Sequence, residues 1–210
     1  MQTNSKIGHS KTSDFLVNEP KMKKKKYTTS DYLSTEELSR GIKYFHKRMQ
    51  PKMALLLEFG TKTLLRYGDL SRITWGVVLK QDVLIVIEKK TGKRREITIG
   101  KSLSNSIEQV YLLLKPKDLN EPIFNLSIQQ VNRILKKLAI ALKISRKNIS
   151  THSLRKSGSR FVWESNDYSS EVLIKLSQLL NHSSENITRR YLGISREEIK
   201  DLYIGFDEMF

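Results

Sequence analysis

A short block of β-branched residues in the middle of the chain limits the fold more than any other feature. Val77–Leu79, Val83–Glu88 and Arg94–Ile99 are rich in Val, Ile and Thr, and turn chemistry bounds each run. Between the last two runs, Lys89-Lys90-Thr91-Gly92-Lys93 reads as a hairpin connection, with Gly92 where the turn needs positive φ. Three short strands in one antiparallel sheet are therefore expected. On both sides of this block the apolar residues recur at helical spacing. The expected class is α+β, mainly α, with a small three-stranded antiparallel sheet packed on a helical bundle.

The helices carry readable punctuation. Ser34-Thr35-Glu36-Glu37 is a capping box, after which Leu38, Ile42, Phe45 and Met49 form one apolar stripe. Pro51 closes that helix, and a more apolar one follows over about Lys52–Phe59. The segment T-K-T-L-L-R-Y-G-D-L-S-R-I-T-W reads as a turn and a short helix with Leu65 and Leu70 inward and Arg66 at its start. Later helices are expected over Leu103–Leu114, Ser127–Leu142, Thr151–Trp163 and Glu171–Leu180, with a last one opening on the capping box Ser195–Glu198. Residues 1–33 are polar and contain the run Lys21–Lys26, so they read as a flexible basic arm before a domain spanning 34–193 and a tail of 194–210.

Charge and composition narrow the partner. Against 22 acidic residues stand 38 Lys and Arg, a formal net charge of +16. Such an excess favours a polyanion, nucleic acid first and an anionic membrane surface second. The chain has no cysteine, which excludes disulfides, thiolate nucleophiles and Cys-based metal sites and suits a reducing cytosol. Apolar runs such as Met53–Leu57 and Val83–Ile87 are far too short to span a bilayer, and the N-terminus lacks the apolar core of a secretory signal. His9, His46, His152 and His182 lack the spacing of a zinc site, and no Gly-rich phosphate loop or Gly-x-Ser-x-Gly elbow is present.

Thr151-His152-Ser153-Leu154-Arg155 puts His152 and Arg155 on one face of a first helical turn, where free N–H groups and the helix dipole welcome an anion. Guanidinium and imidazole together suit a phosphodiester: one grips oxygens, the other trades a proton. Arg66 lies between apolar leucines, either paired with Asp69 or facing a cleft. Lys90 stands at the hairpin tip, as a solvated lysine or one that reaches a DNA groove. The segment L-N-H-S-S-E-N-I-T-R-R-Y-L-G delivers His182, Arg189, Arg190 and Tyr191. A phenol with a pKa near 10 needs a base or a cationic setting before it attacks anything.

The order Arg66, Lys90, His152-x-x-Arg155, His182, Tyr191 resembles that of the tyrosine recombinases, or phage integrase family, over about residues 34–205. T-L-L-R-Y-G-D-L-S-R-I-T-W is similar to that family's first arginine box, K-K-T-G-K-R-R to its hairpin lysine, and H-S-L-R to its His-x-x-Arg. Two positions depart from the pattern: Leu64 stands where glycine is common, and Asp69 where glutamate is common.

The resemblance implies a DNA strand transferase in which Tyr191 forms a 3′-phosphotyrosyl bond and frees a 5′-hydroxyl. Arg66 and Arg155 would hold the non-bridging oxygens, Lys90 would protonate the departing oxygen, His152 would exchange the phenolic proton, and His182 would donate to the phosphate. Neither metal nor nucleotide cofactor is implied. The partners implied are duplex recombination sites and three further copies of the chain, in the cytoplasm of a bacterium or on a phage or other mobile element. Lys23, Lys24, Lys25, Lys26, Lys93, Arg189 and Arg190 are candidate phosphate contacts.

Such enzymes commonly carry a separate core-binding domain. With only the basic arm ahead of residue 34, the layout is similar to that of the short invertases of fimbrial phase variation, or equally to a piece of a longer integrase. In either case Lys21–Lys26 would supply grip on DNA. Ile194, Ile199, Leu202 and Phe206 form a stripe that packs on its own domain or docks on a neighbouring protomer. A topoisomerase-like relaxing enzyme and a non-catalytic DNA-binding protein are the alternatives.

Overall fold

Ser34 accepts a hydrogen bond from the Glu37 N–H at 3.2 Å, while the Glu37 carboxylate accepts from the Ser34 N–H at 2.9 Å. This reciprocal cap starts α1 (Thr35–Lys47) in a computed structural model that describes residues 29–79, 81–144, 147–194, 200, 203, 204 and 206. The lysine run, including Lys23 to Lys26, and the capping box expected at Ser195 lie outside the described residues. Phe45 is buried, but Met49 leaves the expected stripe: it takes φ 53° beyond the helix end and is exposed. The chain reverses there, and Pro51 occupies the first turn of α2 (Pro51–Thr63).

α2 is the central helix. Leu55, Leu56, Leu57 and Phe59 are all buried, because α1 covers one side and two later helices cover the others. It ends at Leu64, whose φ of 54° lies in the left-handed region that glycine tolerates best. That backbone state gives a physical reason for the glycine common at this position in the family that the first arginine box resembles. Two one-turn helices follow, α3 (Tyr67–Leu70) and α4 (Trp75–Val78).

The sheet has two strands, not the three expected. β1 (Val83–Ile87) pairs antiparallel with β2 (Arg94–Thr98), with Leu84 opposite Ile97 and Ile87 opposite Arg94, and Gly92 has the positive φ its turn requires. Val77 and Val78 belong to α4 instead. Trp75 is fully buried, and the N–H groups of Trp75 and Gly76 donate to the carbonyls of Glu121 and Leu119. Those contacts and the burial of Trp75 override a β propensity carried by only three residues.

The remaining elements are α5 (Lys101–Leu114), α6 (Ile128–Ala141), α7 (Thr151–Glu164), α8 (Ser170–Leu179) and α9 (Glu185–Leu192). α5 and α7 are the helices that pack on α2. The segment bearing Tyr191 is a helix of two turns, capped by Gly193 at φ 84°. Apolar residues divide into a main core around α2 and the inward face of the sheet, and a smaller one of Leu64, Trp163, Leu173, Leu176, Leu180, Leu192 and Ile194. α7 runs between them.

Residues 29–33 lie against the start of α7. Ser30 and Ser150 share a hydroxyl hydrogen bond of 2.6 Å, Asp31 accepts from the Asn148 N–H at 2.7 Å, and the Leu33 N–H donates to Ser157 Oγ at 2.8 Å. Among the described residues, no helix is long and apolar enough to cross a membrane, and no cluster of His, Asp and Glu has the makings of a metal site.

Candidate active site

Strand alternation puts Leu84, Val86 and then Glu88 on the same side of β1. The first two meet the core, and so does the carboxylate, which is 0% exposed. A buried carboxylate is costly unless it is paired and hydrogen-bonded. Glu88 Oε2 accepts from Arg66 Nη1 at 2.8 Å, Thr91 Oγ1 at 2.8 Å and Asn181 Nδ2 at 2.9 Å. Its Oε1 faces Arg95 Nη1 at 3.4 Å and Arg155 Nη1 at 4.0 Å. Burial would push this carboxyl up, but the bonds from Thr91 and Arg66, the Arg66 charge and the Asn181 bond bring it down to about 2. Its contribution to stability is therefore present above the ordinary value of 4.5 and fades as the pH falls toward 2.

Each arginine is held from behind as well. Arg66 is the N-cap residue of α3, and its partner is Glu88; Asp69 instead takes Arg72 at 2.9 Å. Arg155, one turn into α7 and 2% exposed, donates to the carbonyls of Leu64 and Leu180. The left-handed turn at Leu64 thus aims a carbonyl at Arg155, and Arg95 reaches the same oxygen. Burial lowers the Arg155 pKa to about 10, with Tyr191 pulling it up and Arg66 and Arg95 pulling it down; it stays charged at neutral pH.

Around this cluster stand the other expected residues. Tyr191 on α9 packs its ring edge-on against His182 at 5.2 Å between centroids, and its hydroxyl lies 3.5 Å from the His152 carbonyl. Burial pushes the phenol up to about 12, against the charges of Arg155 and Arg66 and a hydrogen bond from Arg155. The phenol is therefore protonated at neutral pH. Burial first, then the charges of Arg155, Arg66 and Lys90, lower the His152 pKa, which favours a neutral imidazole able to accept a proton. His182 is lowered by burial and by the same two arginines, and its Nδ1 shares a hydrogen bond with Thr188 at 2.9 Å. Thr29, Ser30, His152, Lys156, Arg190 and Tyr191 line one cleft.

The structure therefore brings Arg66, His152, Arg155, His182 and Tyr191 together, with Lys90 exposed on the neighbouring hairpin. Lys93 sits on the same hairpin, exposed, and its carbonyl accepts from the Glu88 N–H. Arg189 turns back on α9 to Glu185 at 2.9 Å, leaving Arg190 as the arginine of that pair at the cleft. Sequence reasoning misses Glu88, Arg95 and Asn181 as site residues. Period-two counting along each strand can flag the first two, since Glu88 follows Leu84 and Val86 and Arg95 shares a side with Ile97. Asn181 carries no comparable signal beyond its left-handed φ of 52°, a conformation asparagine tolerates.

A tyrosine, two histidines and converging guanidiniums are thus gathered in a mainly helical fold, an arrangement with the chemistry to hold an anionic oxygen group. Residues 31–198 match the phage integrase family, and the chain belongs to that family. The probable integrase/recombinase YoeC of Bacillus subtilis (strain 168) is 33% identical over 159 residues, covering 72% of this chain and 82% of YoeC. Among solved structures, the XerA recombinase superposes with a TM-score of 0.62 at 20% identity, over 85% of this chain and 66% of XerA. A lambda integrase (75–356) dimer bound to a COC′ core site gives 0.56 at 21% identity, over 79% and 60% of the two chains. The XerH site-specific recombinase bound to its difH substrate gives 0.61 at 17%, over 78% of this chain; the chain spans about half the length of XerH (51%). At such identities the structures share the fold.

Proposed function

We propose that this chain, a tyrosine-type site-specific recombinase, cuts and rejoins duplex DNA through Tyr191. The observation that carries the reading is a phenol inside a cleft with His152, within reach of Arg155 and under the charge of Arg66. Tyr191 Oη attacks phosphorus, the P–O5′ bond breaks, and a 3′-phosphotyrosyl bond forms. His152 accepts the phenolic proton, and Lys90 gives one to the departing 5′-oxygen. Arg66, Arg155 and His182 stabilise the negative charge on the non-bridging oxygens. The 5′-hydroxyl of a partner strand reverses the sequence, so the energy of the broken bond is kept.

The assembly is a homotetramer on two recombination sites, formed from free monomers in the cytoplasm. Ile194 is buried in the chain's own smaller core, whereas Tyr203, Ile204 and Phe206 are exposed. Those exposed apolar groups support docking of the tail on a neighbouring protomer.

The test is covalent capture. A library of duplexes, randomised on both sides of one 5′-bridging phosphorothiolate, is incubated with the protein, and SDS-resistant adducts are recovered and sequenced. A 5′-thiolate leaves but does not religate, so cleavage accumulates. Enrichment of one sequence is expected; tight binding with no adduct would refute strand cleavage.

Lys26 precedes Thr29, which lines the cleft, by three residues in the sequence. Removing residues 1–26 should therefore weaken DNA binding and flatten its salt dependence, by about 0.9 in log–log slope for every phosphate the arm neutralises. An unchanged slope would sink the idea of a phosphate-gripping arm.

A further inference from the structure

Among the described residues, none forms a hydrogen bond or ion pair with the Lys90 side chain, yet both its neighbours are tied to buried carboxylates. The Lys89 N–H donates to Asp69 Oδ1 at 2.8 Å, and Thr91 Oγ1 donates to Glu88 Oε2 at 2.8 Å. The Glu88 backbone closes the same turn: its N–H donates to the Lys93 carbonyl and its carbonyl accepts from Gly92. The same Oε2 takes Arg66 and Asn181, the residue before His182. One oxygen atom thus joins the hairpin tip, the first arginine and the turn that presents His182.

From this geometry we infer that Glu88 is a positioning residue for the strand-transfer reaction, fixing the Lys90 hairpin in register with Arg66. The inference rests on the cleavage reading above. Exposed hairpin tips are mobile, and a general acid is effective only when held within hydrogen-bond reach of its target. The carboxylate side chain of Glu88 ties the tip down without touching the substrate. Its charge also offsets the mutual repulsion of Arg66, Arg95 and Arg155 while no phosphate is bound.

The leaving group separates this role from simple support of the fold. A 5′-oxygen needs a proton to depart, whereas a 5′-thiolate leaves unprotonated because thiols are far more acidic than alcohols. Cleavage rates are measured for wild type, Lys90→Ala, Glu88→Gln and Glu88→Asp on a duplex recovered by the covalent capture, in all-oxygen and 5′-phosphorothiolate forms. Glu88→Gln should slow the oxygen substrate about 100-fold or more, as expected for loss of general-acid catalysis, yet slow the sulfur substrate less than about 10-fold. Lys90→Ala should show the same split. Glu88→Asp, which keeps the charge but shortens the reach, should fall between. Equal losses on both substrates, or no loss, would overturn the assignment of Glu88 to the hairpin. If wild type formed no adduct with any duplex, strand cleavage itself would fail, and that failure is distinct from wild-type cleavage with Glu88→Gln unimpaired.

Discussion

Tyr191→Phe is expected to bind DNA as wild type does and never to become joined to it. The substitution removes one oxygen and leaves the ring that packs against His182. The hydroxyl's contact to the His152 carbonyl is long, at 3.5 Å, so the stability lost is mainly that of the Arg155 bond, about 1.5–3 kcal/mol. The chemical consequence is much larger, because without the attacking atom the rate falls by at least about 10⁴-fold. Gel shift gives the binding arm and SDS-resistant adduct the chemical arm. An adduct formed by Tyr191→Phe at the wild-type rate would assign the nucleophile elsewhere.

The second large effect is on stability and lies at the crossing of α7 over α2. A Cβ on Gly158 would lie 2.0 Å from the Thr61 carbonyl oxygen and 2.6 Å from Leu64 Cδ2. A backbone oxygen has no rotamer with which to retreat, so Gly158→Ala must push the two helices apart. We expect a loss of about 3 kcal/mol, the upper end of ordinary overpacking. For a chain of this size that lowers Tm by about 6–12 °C. Gly68→Ala is the control, since a Cβ there meets nothing within 4 Å and should leave Tm unchanged. The loss also reaches the site, because Leu64 supplies a carbonyl to Arg155. Residual folded Gly158→Ala protein should therefore cleave more slowly than its stability alone accounts for. A melting curve matching wild type would contradict this view of the crossing.

The helices and the motif residues are legible in the sequence because their signals are local. The capping box at Ser34, Pro51 after α1 and the turn glycine Gly92 each act within a few residues. Arg66, His152, Arg155, His182 and Tyr191 are legible as a spaced set and come together in space. Long-range burial is not legible. Trp75 and its contacts to residues 119–121 turn Val77 and Val78 into a helix, and a three-residue run cannot reveal that. Glu88 looks like the polar end of an apolar strand, because its meaning lies in Arg66, Arg155 and Asn181, which are far away in sequence. Arg66 illustrates the same limit: its near neighbour Asp69 is paired with Arg72, and its true partner is 22 residues on. Local pairing rules favour i, i+3 partners, whereas the fold chose the carboxylate that closes the site.

The identity of the covalent bond decides most directly whether Tyr191 is the nucleophile. Wild-type protein is trapped on a 5′-phosphorothiolate duplex and digested with trypsin and nuclease, and the modified peptide is sequenced by mass spectrometry. The expected product is a nucleotide 3′-phosphate on the tyrosine of Tyr191–Arg196, with a free thiol at the 5′ end of the departing strand. A linkage on any other residue, a 5′-phosphoryl adduct, or tight binding without an adduct would contradict it.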